Sequence, residues 1–381
     1  MLARRMLAWF ALLPVLAACG ADADPIPEED EPAITSRKPG TPGDTAGDDG
    51  SPSAAASPGG SGTPAGNACI AQPSCGGAGS PSLGAKRAWT HTIQTPLIVA
   101  SGPAFHRGRD QIYSVGEPQW VLGKFTYGYA DVDLTGEDVD VYVERGCAGA
   151  WEKLGTTKTT TGDHATIEGI EDDGGRVYFQ IPAGKELAPG RHRIRLVVAG
   201  DQTSTDLLVD VVPKGTPIVV SDVDGTLTST ETAEYPALLS GALPEAQPKA
   251  ADMLAAFSAK GYRIVYLTAR PEWLTGRTKE FLSKGGFPPG IVHTTTGLTG
   301  ALGGAATTFK SSELAMLAAH GMKVEWAFGN QPSDADAYDA AKIQPLDRRV
   351  FLRQTDPHGG RRIEAYSEML PVASALSATC K

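Results

Sequence analysis

The stretch that most constrains this chain is residues 218–228, where an apolar run is followed by Asp222, Asp224 and Gly225. An unbroken apolar run is typical of a strand buried on both faces of a parallel sheet. Such sheets place their chemistry at the carboxyl ends of the strands. Residues i and i+2 of an extended segment point the same way, so Asp222 and Asp224 can face one site. Two carboxylates that close repel each other unless a cation or a shared proton holds them, which predicts a divalent metal.

Helical and strand patterns alternate through the rest of residues 216–381. Alternation of this kind predicts a doubly wound parallel sheet, and hence an α/β domain. The predicted helices are 248–260, 273–284 and 312–320, and the predicted strands are 262–267 and 324–328.

Polar residues follow the predicted strands at the positions where a site would form. Thr268 and Arg270 end the second strand, and these side chains can donate hydrogen bonds to a phosphate. Lys310 could offset the negative charge of carboxylates and phosphoryl oxygens. Asn330 and Asp334 follow the next predicted strand and supply oxygen ligands of the kind that Mg²⁺ prefers.

In this order, the four segments resemble the motifs of the haloacid-dehalogenase-like (HAD) phosphohydrolases. They are Asp-Val-Asp-Gly-Thr at 222–226, Thr-Ala-Arg at 268–270, Phe-Lys at 309–310 and Gly-Asn-x-x-x-Asp-x-x-x-Tyr at 329–338. The last segment is similar to the lipin/LNS2 type of this superfamily. That type includes lipin-type phosphatidate phosphatases and, in degenerate form, membrane-associated phosphatidylinositol transfer proteins. The resemblance covers residues 216 to about 376.

The resemblance implies a Mg²⁺-dependent phosphomonoesterase that acts through an aspartyl-phosphate. Phosphatidate is the implied substrate, with diacylglycerol and phosphate as products. Asp222 would be the nucleophile and Asp224 the general acid and base. The implied catalytic residues are Asp222, Asp224, Thr268 and Lys310, the implied substrate contacts are Gly225, Thr226 and Arg270, and the implied metal ligands are Asp222, Asp224, Asn330 and Asp334.

Three alternatives stay open at this point. The domain could be a non-catalytic module that binds phosphatidate or a phosphoinositide, as the resemblance to lipid-transfer proteins allows. It could be a HAD phosphatase for a soluble phosphomonoester. The chain could also be a surface adhesion protein whose β-domain does the work, in which case alanine at Asp222 would change nothing.

Residues 1–19 have the features of a signal peptide. Arg4 and Arg5 precede an apolar run that is too short to span a bilayer as a mature helix. Leu-Ala-Ala-Cys at 16–19 resembles a bacterial lipobox, which implies cleavage before Cys19 and acylation of its thiol. We therefore expect an exported protein, lipid-anchored to the bacterial cell envelope on its periplasmic or cell-surface face. An ordinary signal peptide with an incidental cysteine is the alternative.

Residues 20–85 are rich in Gly, Pro, Ser and Ala and contain almost no large apolar residue. Such a segment cannot offset its ordering entropy, which predicts a disordered tether. The tether carries nine acidic residues and two basic ones, so most of the chain's net charge of −10 lies here. This acidity argues against nucleic acid as a partner.

Four cysteines other than Cys19 fit an oxidising compartment. Four cysteines allow three disulfide connectivities, and the sequence leaves the choice open. One of them would join Cys69 to Cys75 and Cys147 to Cys380.

Residues 86–212 predict a β-domain. Short apolar or alternating runs are separated by Gly, Pro and Asp, which suggests an immunoglobulin-like β-sandwich. A packing and spacing role is the default expectation for it. The predicted strands are 95–99, 121–127, 139–143, 176–181, 194–198 and 207–212.

Overall fold

The computed structural model describes residues 72–75, 79–232, 234, 237 and 241–380. The predicted signal peptide 1–19, with Cys19, and most of the predicted tether 20–85 lie outside the described residues. None of the helices in the described part has both the length and the hydrophobicity that crossing a bilayer demands.

The first domain is a sandwich of two sheets. One sheet has three strands in the order β1-β3-β8 and the other has five in the order β2-β10-β9-β6-β7. Neighbouring strands are antiparallel except for β2 and β10, which are parallel. A short pair, β4-β5, lies beside them. The strands are β1 (Arg107–Arg109), β2 (Gln111–Ser114), β3 (Trp120–Lys124), β4 (Thr126–Tyr127), β5 (Val132–Asp133), β6 (Asp138–Glu144), β7 (Trp151–Lys158), β8 (Arg176–Gln180), β9 (Gly190–Val198) and β10 (Ser204–Val212).

Alternating burial along β6 shows why this sequence forms a sandwich. Val139, Val141 and Val143 have no exposed surface and belong to one apolar core. Asp138 and Asp140, which alternate with the first two of these valines, are half-buried. Successive side chains of a strand point to opposite faces, so alternate residues face the core between the two packed sheets and the others face solvent.

Two of the predicted strands of this domain are wrong in detail. The segment predicted as strand 95–99 is the helix α1 (Gln94–Val99). Pro96 lies in the first turn of that helix, where the amide hydrogen that proline lacks would have no partner. The predicted strand 121–127 is broken at Phe125 into β3 and β4, which belong to different sheets.

The second domain contains a six-stranded parallel sheet in the order β13-β12-β11-β14-β15-β16. The order reverses at β11, so a crevice opens between β11 and β14 at their carboxyl ends. The predicted doubly wound sheet and the β-sandwich before it are thus confirmed. The strands are β11 (Pro217–Ser221), β12 (Arg263–Pro271), β13 (Ile291–Thr295), β14 (Lys323–Gly329), β15 (Arg349–Leu352) and β16 (Arg361–Ile363).

Helices cover both faces of this sheet. Val219 packs into the apolar core on one face, whereas Ile218 and Val220 pack into the core on the other. This explains the unbroken apolar run of β11, because both of its faces are buried. The helices are α2 (Ala250–Ala259), α3 (Thr275–Lys284), α4 (Gly304–Ala319), α5 (Pro332–Ala340) and α6 (Leu370–Ala375).

Helix α4 begins eight residues before the predicted start at Ser312. Ala306, Lys310, Leu314 and Leu317 are all buried, and their spacing of three or four residues places them on one face of the helix. Lys310 therefore lies within the helix and points into the protein. Its polar side chain concealed this apolar stripe from the sequence pattern.

The two domains share a packed interface. Ile112 and Val212 of the sandwich belong to the same apolar core as Leu314 and Leu317 of α4. The buried carboxylate of Asp110 joins the two sheets, because it accepts hydrogen bonds from the amides of Leu208 in β10 (2.8 Å) and Val292 in β13 (3.0 Å).

A disulfide joins Cys75 to Cys147, with a Cα–Cα distance of 4.8 Å. Of the connectivities that the sequence left open, this excludes the one that pairs Cys69 with Cys75 and Cys147 with Cys380. Cys380 is also disulfide-bonded, and Cys69 lies outside the described residues.

Candidate active site

The site lies where β11 ends, beside β14. The amide of Asp222 donates a hydrogen bond to the carbonyl oxygen of Phe328 (2.9 Å), so the chain leaves the sheet only after Asp222. The Asp222 side chain is 5% exposed. The apolar run that buries β11 thus delivers a carboxylate to the switch point of the sheet.

Gly225 makes the turn that follows. Its φ of +69° lies in the left-handed region. A Cβ atom there would lie 2.3 Å from Asn330 Nδ2 and 2.8 Å from Glu231 Oε1. Only glycine fits, for reasons of both conformation and space.

Lys310 holds two carboxylates together. Its ammonium donates to Asp222 Oδ1 (2.7 Å) and to Asp334 Oδ1 (2.5 Å), and all three side chains are buried. Lysine is a compact point charge with rotatable donors, which suits a shared position between two acids. One cation thus lies between two carboxyl groups.

Asp334 is fixed by the start of helix α5. Its Oδ2 accepts hydrogen bonds from the amides of Asn330 and Gln331, both at 3.0 Å, and forms a capping box with Gln331. Carboxylates at helix N-termini are stabilised by these unpaired amides. The capping role and a role in the site therefore use different oxygens of one side chain.

Burial and charge act in opposite directions in this cluster. Burial raises the pKa of Asp222, and the neighbouring carboxylates raise it further, while Lys310 opposes both effects. Burial alone would lower the pKa of Lys310, but Asp222 and Asp334 raise it above its ordinary value. The ammonium is therefore charged, and it is the group that makes a buried Asp222 carboxylate possible.

Arg270 holds Asp224 in a second cluster. Its Nε and Nη2 donate to the two carboxylate oxygens of Asp224 at 2.7–3.0 Å. Its Nη1 lies 3.1 Å from Glu234 and donates to Thr278 (3.2 Å). Thr268 also donates to Asp224 Oδ2 (3.2 Å). Both oxygens of Asp224 are thus engaged, and Arg270 faces Asp224 and Glu234.

The hydroxyl of Thr226 connects the first cluster to Asn330. Its Oγ1 lies 2.9 Å from Asp222 Oδ2 and 2.8 Å from Asn330 Oδ1. Asn330 Nδ2 donates to Glu231 Oε1 (2.7 Å). The Thr226 carbonyl accepts from the buried Tyr366 hydroxyl (2.8 Å), which fixes this turn from below.

The donor chemistry at this edge suits Mg²⁺, because Asp222, Asp334 and Asn330 offer only hard oxygen ligands close together. Within the described residues, however, no three His, Cys, Asp or Glu side chains are grouped so that they could hold a metal ion. A metal here would need the amide oxygen of Asn330 and the backbone carbonyl of Asp224 beside the two carboxylates.

All the site residues predicted from the sequence meet at one edge of the sheet, in the two clusters just described. Four further residues complete them and were not predicted: Glu231, Glu234, Thr278 and Tyr366. Glu231 and Glu234 follow the first motif within ten residues, and their acidity was the available signal. Thr278 and Tyr366 gave no signal in the sequence, because each contacts a residue of another structural element.

Two family models match this chain. The LNS2 domain of PITM 1-3 matches residues 219–352, which include the predicted site residues from Asp222 to Asp334. The beta-sandwich domain of PITM 1-3 matches residues 104–211. This chain contains an LNS2 domain. The LNS2 domain follows the β-sandwich that accompanies it in PITM 1-3, and the predicted resemblance is confirmed.

The relatives are membrane-associated phosphatidylinositol transfer proteins. Protein 1 of Rattus norvegicus is 34% identical over 208 residues, which are 54% of this chain and 15% of that protein. Protein 2 of Homo sapiens is 31% identical over 265 residues, which are 69% of this chain and 18% of that protein. The chain thus spans less than a fifth of the length of these relatives.

Among solved structures, the D,D-heptose 1.7-bisphosphate phosphatase from B. bronchiseptica, complexed with magnesium and phosphate, is 14% identical, with a TM-score of 0.30. The alignment covers 42% of this chain and 96% of that one, and a TM-score this low carries no inference. The LNS2 match and the site geometry support a phosphatase or a lipid-binding function.

Proposed function

We propose that the LNS2 domain hydrolyses a phosphomonoester, that phosphatidate is the substrate and that Asp222 is the nucleophile. The observation that carries the proposal is the buried triad of Asp222, Lys310 and Asp334. A buried group of two carboxyl groups and one lysine is costly to desolvate, and such arrangements concentrate at functional sites.

The chemistry needs two carboxylates in different roles. The Asp222 carboxylate forms a bond to phosphorus as the bond from phosphorus to the ester oxygen breaks. Asp224 gives its proton to the departing alkoxide, which leaves as diacylglycerol. Asp224 then takes a proton from the water that attacks the aspartyl-phosphate, and phosphate and free Asp222 are restored.

Other residues in the site stabilise charge. Lys310 and Thr268 would donate to the phosphoryl oxygens, and Thr226 would orient Asp222. Arg270 would bind the phosphate when it leaves Asp224. Asp222, Asn330, Asp334 and the Asp224 carbonyl would hold Mg²⁺, which neutralises the charge on the phosphate when it is bound.

A second function is favoured by the Arg270–Asp224 pair. Both oxygens of Asp224 are occupied, so Asp224 acts on a leaving group only after Arg270 moves away. In a non-catalytic module, Arg270 and Lys310 would bind the headgroup of phosphatidate and Asp224 would stay paired. The phosphatidylinositol transfer proteins among the relatives agree with this function as well.

The test is phosphate release by the full chain from phosphatidate in mixed micelles, with Mg²⁺ and with a chelator, beside a soluble aryl phosphate. Asp222→Asn is the test variant. Asp252→Asn is the control, because Asp252 is an exposed residue on helix α2 that pairs with the exposed Lys249. Vesicle co-sedimentation with phosphatidate measures binding in the same samples.

Metal-dependent release that Asp222→Asn abolishes and Asp252→Asn preserves is the expected result. Release from the aryl phosphate alone would place the substrate among soluble phosphomonoesters. Binding to phosphatidate vesicles without release from either substrate would overturn the phosphatase and favour the binding module. If the protein neither releases phosphate nor binds phosphatidate vesicles, the β-sandwich would be the functional domain.

We also propose that the chain is exported and anchored to the bacterial cell envelope through acylated Cys19, facing the periplasm or the cell surface. Incorporation of labelled palmitate and membrane fractionation of the wild type and of Cys19→Ala test this. Label and membrane association that persist in Cys19→Ala would contradict it.

A further inference from the structure

Two carboxylates of the LNS2 domain reach across to the β-sandwich, and each lies next to a residue of the site. Glu272 follows Arg270 by two residues, directly after strand β12. Glu313 lies one helical turn after Lys310 on α4. Their partners are arginines of strands β1 and β8 in the sandwich.

The first contact holds the end of strand β12. Glu272 Oε1 accepts from Arg107 Nη2 (3.2 Å) and Arg176 Nη2 (3.0 Å), and its Oε2 accepts from Arg176 Nη1 (3.3 Å). The arginines are themselves fixed, because Arg107 pairs with Asp131 through both of its terminal nitrogens and Arg176 Nε donates to Asp173. The arginine side chains are 7% and 5% exposed and the Glu272 side chain is 13% exposed, so this contact is largely shielded from water.

The second contact holds helix α4. Glu313 accepts from Arg109 Nη2 and lies 2.6 Å from His293 Nδ1, while Arg109 Nη1 donates to the carbonyl of Thr294 (3.0 Å). Burial alone would raise the pKa of Glu313, but Arg109 and His293 lower it to about 2. The carboxylate is therefore ionised, and its orientation is set from the sandwich.

One strand of the sandwich supplies an arginine to each contact. Arg107 and Arg109 are two residues apart on β1 and therefore point to the same side. Gly108 between them packs so closely that a Cβ would lie 2.8 Å from the Asp206 carbonyl and the Leu207 side chain, which fixes this strand against β10. The two arginines are thus held at a set spacing.

We infer that the β-sandwich positions the active site, with Glu272 and Glu313 as positioning residues that transmit its contacts. Through Glu272 the sandwich holds the backbone that carries Thr268 and Arg270. Through Glu313 it holds the helix turn that carries Lys310. The inference rests on the proposed phosphatase function for its kinetic consequence, and it gives the sandwich a task beyond spacing.

The kinetic experiment compares the full chain with Glu272→Gln and Glu313→Gln, using an aryl phosphate. Misplacement of a catalytic group by about 1 Å costs about 100-fold in rate, so a smaller displacement should lower kcat on the order of tenfold. We expect that loss in kcat, with KM changed less than threefold. The double variant Glu272→Gln/Arg176→Gln should show a smaller loss of kcat than the product of the two single-variant losses, because both changes disturb the Glu272–Arg176 contact.

Glu168→Gln is the matched control. Glu168 of the sandwich pairs with His320 (2.7 Å), which follows the last turn of the same helix α4. That pair also joins the two domains, but it lies about 15 Å along the helix from Lys310. Glu168→Gln should lower Tm and leave kcat unchanged. A kcat that falls in step with Tm in all the variants would overturn the inference.

Hydrogen exchange decides the inference independently of catalysis. Glu272→Gln should speed exchange in peptides that contain residues 267–273, and Glu313→Gln in those that contain 308–314, whereas Glu168→Gln should change neither. An inactive wild type would refute the proposed phosphatase function, but hydrogen exchange would still test the positioning role. Unchanged exchange in both test variants would refute the positioning role.

Discussion

The two clusters at the strand ends use the same pattern with different cations. Lys310 lies between Asp222 and Asp334, and Arg270 lies between Asp224 and Glu234. Each of these cations faces two carboxylates, and Glu234 also pairs with a second cation, Arg277 (2.7 Å). The clusters differ in how many oxygens of the aspartate the cation contacts.

Lysine contacts a single oxygen of the proposed nucleophile. Lys310 takes only Oδ1 of Asp222, and Oδ2 contacts the Thr226 hydroxyl. Arginine, with its planar fork, takes both oxygens of Asp224. Attack through Asp222 Oδ2 therefore needs only the Thr226 hydroxyl to turn toward Asn330, whereas chemistry at Asp224 needs the Arg270 side chain to move. The difference between a phosphatase and a binding module depends on the arginine cluster.

Replacing the lysine should have the largest effect. Lys310→Met keeps the volume but leaves two buried carboxylates without a cation, which should destabilise the fold by about 3–5 kcal/mol. Phosphate release should fall at least about 100-fold. Urea unfolding measures the loss of stability, and a phosphate-release assay measures the loss of activity. Lys323→Met is the control, because the Lys323 side chain is 64% exposed. A loss of stability no larger than in this control would mean that the lysine does not hold the cluster.

The arginine cluster is tested by a pair of variants. Asp224→Asn removes the proton donor and should lower kcat by about 10²–10⁴-fold. Arg270→Lys keeps the charge but loses the fork, which frees one oxygen of Asp224, so kcat should stay within about tenfold of the wild type. Single-turnover phosphate release measures both. Full activity in Asp224→Asn would show that Asp224 stays paired and is not the acid.

The tight turn between the clusters should have an intermediate effect. Gly225→Ala introduces strain at φ +69° and places a Cβ 2.3 Å from Asn330 Nδ2. Gly241→Ala is the matched control, with φ +71° and nothing within 4 Å of its Cβ. Gly225→Ala should cost about 1–3 kcal/mol more than the control in urea unfolding. Equal losses of unfolding free energy in the two variants would show that the Asn330 side chain moves aside at no cost.

A smaller, pH-dependent effect is expected far from both clusters. Burial alone would lower the pKa of His320, but Glu168 and Glu117 raise it. A histidine with a raised pKa in the folded state stabilises below its ordinary value of about 6.5 and loses that contribution as pH rises through the folded value. The free energy of unfolding of the wild type, minus that of His320→Gln, should therefore fall as pH rises above about 6.5. A flat difference would contradict this.

Short motifs made the site predictable. Asp222, Thr268, Lys310 and Asp334 each lie at or near a strand end in an order that a sequence displays. Local patterns also predicted the parallel sheet and most of the strands. The helix Gln94–Val99 was missed because its apolar residues also fit a strand, and only its first-turn proline distinguishes it.

Contacts across the domains could not be predicted. Glu272 and Glu313 are ordinary acids in sequence, and their arginine partners lie from 96 to 204 residues away. The pairing of Cys75 with Cys147 also depends on a distance in space that no spacing reveals. In each case the deciding partner is brought close only by packing of the whole chain.

The carboxylate of Asp110 has a consequence for solubility. Strand β13 is an outer strand of the parallel sheet, and outer strands present unpaired amides to which another chain can add. Asp110 occupies the amide of Val292, and its own carbonyl contacts the His293 ring at 2.9 Å. The sandwich thereby shields a strand edge that would otherwise be open. An LNS2 domain cut free of its sandwich would expose that edge and is expected to self-associate along β13.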